Sequence, residues 1–287
     1  TSMSTGCYPN KHGVTNNNIF MPGVTKNVPW TWFADNIKCP DIFTAAKKAG
    51  LTTACVFWPV TAGHEYIDYN FPEYWPQSPE DTKEECYLRA GTTPELYREC
   101  IAPYIDKVKI RTHPDTDELL VRVTCDMIEK YKPHLLMLHT GDVDSYRHGT
   151  GLFTEKVTSG VIDTERWFFE IIEATKRAGT FEETNFFLIS DHGQLEIVRN
   201  LKPNVVFADN GLIEMNEDGS LKAHVIEVKL TCKQGEEGRM TVRAAVLDDE
   251  IFRRGHEVLN ASTLQITEFD TTRIVGTIDC DRDGLLY

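Results

Sequence analysis

Two apolar runs that each end in an aspartate and a histidine constrain this chain more than any other feature. Asn185-Phe186-Phe187-Leu188-Ile189 leads into Ser190-Asp191-His192-Gly193. Upstream, His134-Leu135-Leu136-Met137-Leu138-His139 leads into Gly141-Asp142-Val143-Asp144-Ser145-Tyr146-Arg147-His148-Gly149. Short runs that are apolar throughout read as strands covered on both faces, as in a parallel sheet. Open α/β sheets place their chemistry at the carboxyl ends of such strands. Carboxylate oxygen and neutral imidazole nitrogen together suit zinc or another divalent transition metal. The pattern predicts two metal half-sites that meet in one cleft.

The surrounding elements fit that frame. Asp41 to Gly50 reads as a short helix with Asp41 as its N-cap and Gly50 as its stop, and Thr52 to Phe57 as a strand closed by Trp58-Pro59. Leu119, Leu120, Val123, Met127 and Ile128 recur at helical spacing between Asp115 and Tyr131. Val161 to Ala178 is a second amphipathic helix ending at Gly179. Helix, strand and ligand-bearing loop, repeated, is the rhythm of a doubly wound α/β fold, a mostly parallel sheet with helices on both faces. Residues 65–110, rich in Tyr, Pro, Glu and Asp, read as an inserted cap rather than core sheet. After Gln194 the texture changes. Asn204 to Gly211 and Asp248 to Leu259 read as helices; Val225–Leu230, Met240–Val246, Leu264–Phe269 and Arg273–Ile278 read as strands. Residues 222–280 are therefore expected to form a peripheral α+β subregion of a single domain spanning 1–287.

Charge and cysteine usage narrow the function classes. With 44 acidic against 30 basic residues the net charge is −14, which repels a nucleic-acid backbone and argues against duplex binding. A small phosphorylated substrate stays compatible, because a metal supplies local positive charge. No apolar run reaches transmembrane length. The eight cysteines (Cys7, Cys39, Cys55, Cys86, Cys100, Cys125, Cys232 and Cys280) form no CxxC pair, so a zinc ribbon is unsupported. Their low density favours reduced thiols and a cytoplasmic setting. The chain opens on Thr1 with no signal peptide and closes on a turn at Asp281–Tyr287, so both ends read as cut.

Asp144 and His148 stand four apart, a spacing that puts both on one face of a helical turn within reach of one ion. An isolated pair of this kind is more often a plain surface couple. The strand before it and Gly149 and Gly151 after it favour the ligand reading. Asp191 and His192 have their own ordinary alternatives, a helix cap and a carbonyl partner. Two strand ends that each offer Asp and His make the joint reading stronger than either part. Two divalent ions about 3.5–4 Å apart would clamp the entering and leaving oxygens of a displacement at phosphorus. Asp142 is then a supporting or solvated carboxylate, and His139 a packing residue. His224 and His256 are isolated, His64 and His113 fall in or near the cap, and Cys7 lacks a base partner.

Thr5-Gly6-Cys7-Tyr8-Pro9-Asn10-Lys11-His12-Gly13-Val14 resembles the TG-x-YP-x-x-HG element of the alkaline phosphatase superfamily. Asp41 to Pro59, the Asp144/His148 pair and Ser190-Asp191-His192-Gly193 are similar to the type I phosphodiesterase/nucleotide pyrophosphatase branch, a likeness covering about residues 1 to 195. The resemblance implies that Asp144 and His148, with a third histidine, hold one zinc, and that Asp191 and His192 hold another. It makes His12 structural, and places a Thr or Ser nucleophile and a further metal aspartate upstream of Thr1. The implied activity is hydrolysis of a phosphate diester or nucleotide pyrophosphate through a phospho-enzyme. The alternatives are a phosphomonoesterase or phosphonate hydrolase of the same superfamily, and a non-catalytic domain that kept the fold. The expected partner is a small phosphorylated molecule, with nucleotides among the candidates.

Overall fold

A computed structural model describes residues 1–19 and 28–196, together with the backbone of residues 226–232, 239–244, 264–269 and 273–278. The chain divides into two compact units, Thr1–Asn17 with Thr31–Glu196, and Asn18–Trp30 with Ile197–Tyr287.

The first unit is built on a parallel sheet of β1 (Thr53–Val56), β2 (Tyr69–Phe71) and β3 (Leu135–Leu138), ordered β2-β1-β3. Every residue of β1 is buried, so this central strand shows no polar alternation. Its helices in chain order are α1 (Ser2–Thr5), α2 (Pro9–His12), α3 (Ile42–Lys48), α4 (Lys83–Arg89), α5 (Pro94–Leu96), α6 (Ala102–Ile105), α7 (Asp115–Tyr131), α8 (Asp142–Thr150) and α9 (Glu155–Ala178). A π-helical turn, Tyr97–Ile101, joins α5 to α6.

Both faces of the sheet are covered. Phe43 of α3 packs with Cys55, Trp58 and Ile67, and Leu135 and Met137 of β3 join that cluster. Leu136 points the other way, into a cluster of Cys125 and Ile128 from α7 with Ile171, Ala174 and Ala178 from α9. Alternation along β3 thus feeds two cores, as a doubly wound layer requires. Burial pushes the Cys55 thiol up to about 12, so it behaves as a small apolar residue.

Capping chemistry sets the helix limits. Asp41 accepts the Thr44 N–H at 2.8 Å and starts α3. Thr154 accepts the Val157 N–H at 3.3 Å, which starts α9 one and a half turns before the apolar periodicity begins at Val161. Gly179 ends α9 with φ 74°, a left-handed value that glycine adopts without strain.

Two segments differ from the sequence expectation. Within residues 65–110, Tyr69–Phe71 pairs in parallel with β1, and Phe71, Tyr87, Leu96, Ile101 and Ile105 are fully buried. This stretch supplies core as well as surface, because short apolar insertions between its polar residues each find a neighbour to cover them. Asn185–Ile189, expected as a strand, makes no ladder hydrogen bonds among the described residues and leaves Phe187 84% exposed and Leu188 69% exposed. An apolar run becomes a strand only when its N–H and C=O groups meet a neighbouring edge.

In the second unit, β4 (Ile226–Cys232) pairs antiparallel with β5 (Arg239–Ala244) and parallel with β7 (Arg273–Ile278). The strand β6 (Leu264–Phe269) pairs antiparallel with β7, giving the order β5-β4-β7-β6. The helices expected over 204–211 and 248–259, and His224 and His256, lie outside the described residues. Among the described residues no helix is long and apolar enough to cross a membrane.

Candidate metal centre

The loop that leaves β3 delivers the first pair of donors. Gly141 is the N-cap of α8, and Asp144 stands in the first turn of that helix with His148 in the last. The i, i+4 spacing brings His148 Nε2 to 3.4 Å from Asp144 Oδ1. The second pair comes from the segment after Ile189. His192 Nε2 lies 3.3 Å from Asp191 Oδ2 and 3.9 Å from Asp144 Oδ1. The four side chains therefore form one continuous string of contacts, open to solvent along its length.

Hydrogen bonds around the string orient it. The Gln194 amide donates to Asp144 Oδ1 at 2.7 Å and accepts from the Arg147 guanidinium at 3.4 Å, tying the 190–194 segment to α8. His192 Nδ1 lies 3.1 Å from the Gly193 carbonyl, which can only accept. Nδ1 is thereby engaged by the backbone, and Nε2 is the ring nitrogen that faces both aspartates.

His139 belongs to this neighbourhood although the sequence reading set it aside as packing. Its Nε2 lies 3.7 Å from Asp191 Oδ2. Burial alone would lower the His139 pKa, but the carboxylates of Asp191, Glu73 and Asp117 raise it above the ordinary imidazole value. In return, His139 holds the Asp191 carboxyl below its usual range. The signal was available: His139 continues the parity of Leu135 and Met137 and leaves the strand on the same face.

A buried carboxylate pair lies behind α8. Asp117 is fully buried; it meets His113 Nδ1 at 2.5 Å and accepts the Gly141 N–H at 2.8 Å, which fixes the start of α8. Asp142 is 1% exposed, and its Oδ2 has no hydrogen-bond partner among the described residues. Burial first, and the charge of Asp117 second, push the Asp142 carboxyl up to about 6. Among the described residues, His12 and His64 are engaged within their own segments. His12 accepts the Val14 N–H at Nδ1 and meets the Ser2 hydroxyl at 3.0 Å. His64 accepts the Tyr66 N–H at Nδ1 and lies 2.9 Å from Asp41.

The donor set can be tested against zinc. Two ligands on one tetrahedral zinc, each about 2.05 Å from the ion, stand about 3.3 Å apart. The separations within the Asp144/His148 and Asp191/His192 pairs, 3.4 and 3.3 Å, match that edge. Each pair fits as half of a coordination shell. Among the described residues no group of three or more His, Cys, Asp or Glu converges as a complete shell.

Comparison with known proteins places the chain in a family. The sequence profile described as type I phosphodiesterase / nucleotide pyrophosphatase matches residues 1–260. The chain is 25% identical over 209 residues to the ectonucleotide pyrophosphatase/phosphodiesterase 2 of Saccharomyces cerevisiae, covering 71% of this chain and 38% of that protein. It is 24% identical over 215 residues to an uncharacterized pyrophosphatase/phosphodiesterase of Schizosaccharomyces pombe, covering 72% and 36%. It is 23% identical over 193 residues to ectonucleotide pyrophosphatase/phosphodiesterase family member 1 of Mus musculus, covering 67% and 18%. The chain thus spans well under half the length of each of these relatives. With the profile matched along most of its length, the chain belongs to the type I phosphodiesterase / nucleotide pyrophosphatase family.

Proposed function

We propose that this chain carries the metal-binding face of a zinc-dependent phosphodiesterase/nucleotide pyrophosphatase, with Asp144 and His148 holding one ion and Asp191 and His192 the other. The observation that carries the reading is the run of 3.3–3.9 Å separations linking the four donors, two of them at the spacing of a shared zinc. When bound, a divalent ion supplies Lewis acidity at a phosphoryl oxygen and lowers the pKa of water from 15.7 to about 7.

The protein's own part is orientation and charge. Four donors on an open rim admit a phosphate ester from solvent. Gln194 aims the Asp144 carboxylate, the Gly193 carbonyl engages His192 Nδ1, and His139 holds the Asp191 carboxyl below its usual range. Two carboxylates without ions would repel a phosphate ester, so the same residues that bind metal make the apo site a poor anion binder.

The test is a metal analysis paired with an ester panel on the intact protein. Asp144→Asn is expected to lower zinc content and cut turnover of a bis-aryl phosphate by more than about 100-fold, beyond the loss typical of an outer-shell partner. Normal zinc and normal turnover in that variant would refute the assignment. Aryl phosphate and aryl sulfate in the same panel separate the diester reading from its relatives.

A further inference from the structure

We propose that Asp117 is a positioning residue for the Asp144/His148 pair, braced by His113 and acting through the Gly141 peptide. This inference rests on the donor assignment made above. The loop between β3 and α8, His139-Thr140-Gly141, is pinned at both ends. The His139 N–H donates to the Val56 carbonyl of β1 at 3.0 Å, and the Gly141 N–H donates to Asp117 Oδ1 at 2.8 Å. The Gly141 carbonyl in turn accepts the Ser145 N–H at 3.0 Å, closing the turn that carries Asp144. Asp144 lies three residues beyond Gly141, about 4.5 Å along the helix axis, and His148 stands about one turn further. A glycine N-cap has no side chain with which to hold the first turn, so α8 makes no side-chain cap bond of its own. Its start is held from another helix instead.

Asp117 is itself fixed. It is fully buried in the first turn of α7 with both oxygens engaged, Oδ1 by the Gly141 N–H and Oδ2 by His113 Nδ1 at 2.5 Å. The His113 ring also lies against Gly141: a Cβ on that glycine would stand 3.3 Å from ring Cε1 and 3.9 Å from Nε2. Carboxylate and imidazole thus hold one peptide, the first by a hydrogen bond and the second by contact. An anion beside the N-terminus of α8 is also favoured by the helix dipole. Without the carboxylate, the Gly141 N–H and His113 Nδ1 both lose their partner. The first turn of α8 then frays, and Asp144 drifts from His148 and His192, against a tolerance of about 0.5 Å for a metal site.

The experiment measures the zinc dissociation constant of the intact protein by competition with a chelating dye, zinc being the only ligand added. Asp117→Ala is expected to weaken zinc about 10-fold, the lower end of the loss for partners of metal ligands, because Asp117 acts one step further from the ion. Asp117→Asn keeps an oxygen for the Gly141 N–H and should recover most of that loss. His113→Ala frees Oδ2 but leaves the Gly141 bond, so its zinc affinity should fall between the two. Asp41→Ala removes a buried carboxylate from the cap of α3 and serves as the control for lost stability alone; it should bind zinc as the parent does. Parental affinity in Asp117→Ala, an equal loss in Asp41→Ala, or no recovery in Asp117→Asn would each overturn the positioning role. Parental affinity in His113→Ala would do so even where Asp117→Ala does not fold. Asp144→Asn separates the two readings: zinc lost there but kept in Asp117→Ala refutes positioning alone, whereas zinc kept in Asp144→Asn refutes the donor assignment and this inference with it.

Discussion

Gly160 decides how closely α8 can lie on α9, and a single methyl group tests it. A Cβ at Gly160 would stand 2.9 Å from Asp142 Oδ2 and 3.0 and 3.2 Å from ring carbons of Tyr146. Ordinary carbon contacts begin near 3.5 Å, so two groups must each retreat by several tenths of an ångström. Neither has room, since Asp142 is 1% and Tyr146 7% exposed. Inside a helix, Gly→Ala alone gains about 1 kcal/mol. Overpacking a tight contact costs about 1–3 kcal/mol. With both obstructing groups buried the upper half of that range applies, so Gly160→Ala is expected to lose about 1–2 kcal/mol net. Gly149, within α8, has none of the described residues within 4 Å of its Cβ position. Gly149→Ala should therefore keep the propensity gain of up to about 1 kcal/mol. The assay is urea unfolding followed by tryptophan fluorescence, with Trp167 of α9 as the buried reporter. Opposite signs for the two variants are expected. A Gly160→Ala protein as stable as its parent would refute the claim that this glycine is required by contact.

Two of the buried carboxylates, Asp142 and Asp41, should respond to pH in opposite senses. Asp142 titrates near 6 in the folded chain against 3.8 unfolded, so the folded state keeps a proton that the unfolded state has released. Stability of the metal-free protein then falls as pH rises from about 4 to about 6, by up to about 3 kcal/mol, and Asp142→Asn should flatten that slope. An unchanged slope in the variant, read from urea midpoints across this range, would exclude Asp142 as its source. Asp41 is the reverse case: burial alone would raise it, but hydrogen bonds from His64 and from the Thr44 N–H and hydroxyl hold it below 3.8. Its contribution is present above about pH 4 and fades as pH falls through the folded value. Asp41→Ala removes the α3 cap and strands buried His64, an expected loss of about 2–3 kcal/mol, measurable in the same assay at neutral pH. A loss well below 1 kcal/mol would mean the cap and the pair are not formed in solution.

Where local pattern and tertiary packing agree, the sequence was readable. Asp115–Tyr131 shows helical periodicity and a following Pro133, and it is helical over that span. Ala54–Val56 and Leu135–Leu138 are apolar throughout because neighbouring strands or helices cover both faces. In the second unit the expected strands Leu264–Phe269 and Arg273–Ile278 are present with those limits. Tyr69–Phe71 was not readable as a strand: three residues between Asp68 and Pro72 are too few for a period, and only pairing with β1 makes them one. The Asp117–His113 pair was hidden for a related reason. Asp117 looks like a first-turn helix acid, and its bond to Gly141 joins residues far apart in sequence.

The two donor pairs show where pattern stops and geometry begins. The Asp144/His148 spacing is a local property of a helix, so their 3.4 Å separation follows from the sequence alone. The approach of Asp191 and His192 to that pair was argued from two parallel strand ends, yet Asn185–Ile189 is unpaired among the described residues while His192 still lies 3.9 Å from Asp144. What brings them together is side-chain chemistry. Gln194, three residues past Asp191, bonds to Asp144 on one side and Arg147 on the other, and His139 meets Asp191 from the end of β3. A glutamine in a loop carries no periodic signal and has many possible partners. Its role is visible only once α8 presents a carboxylate and a guanidinium one turn apart, the two complementary groups a single amide can bridge.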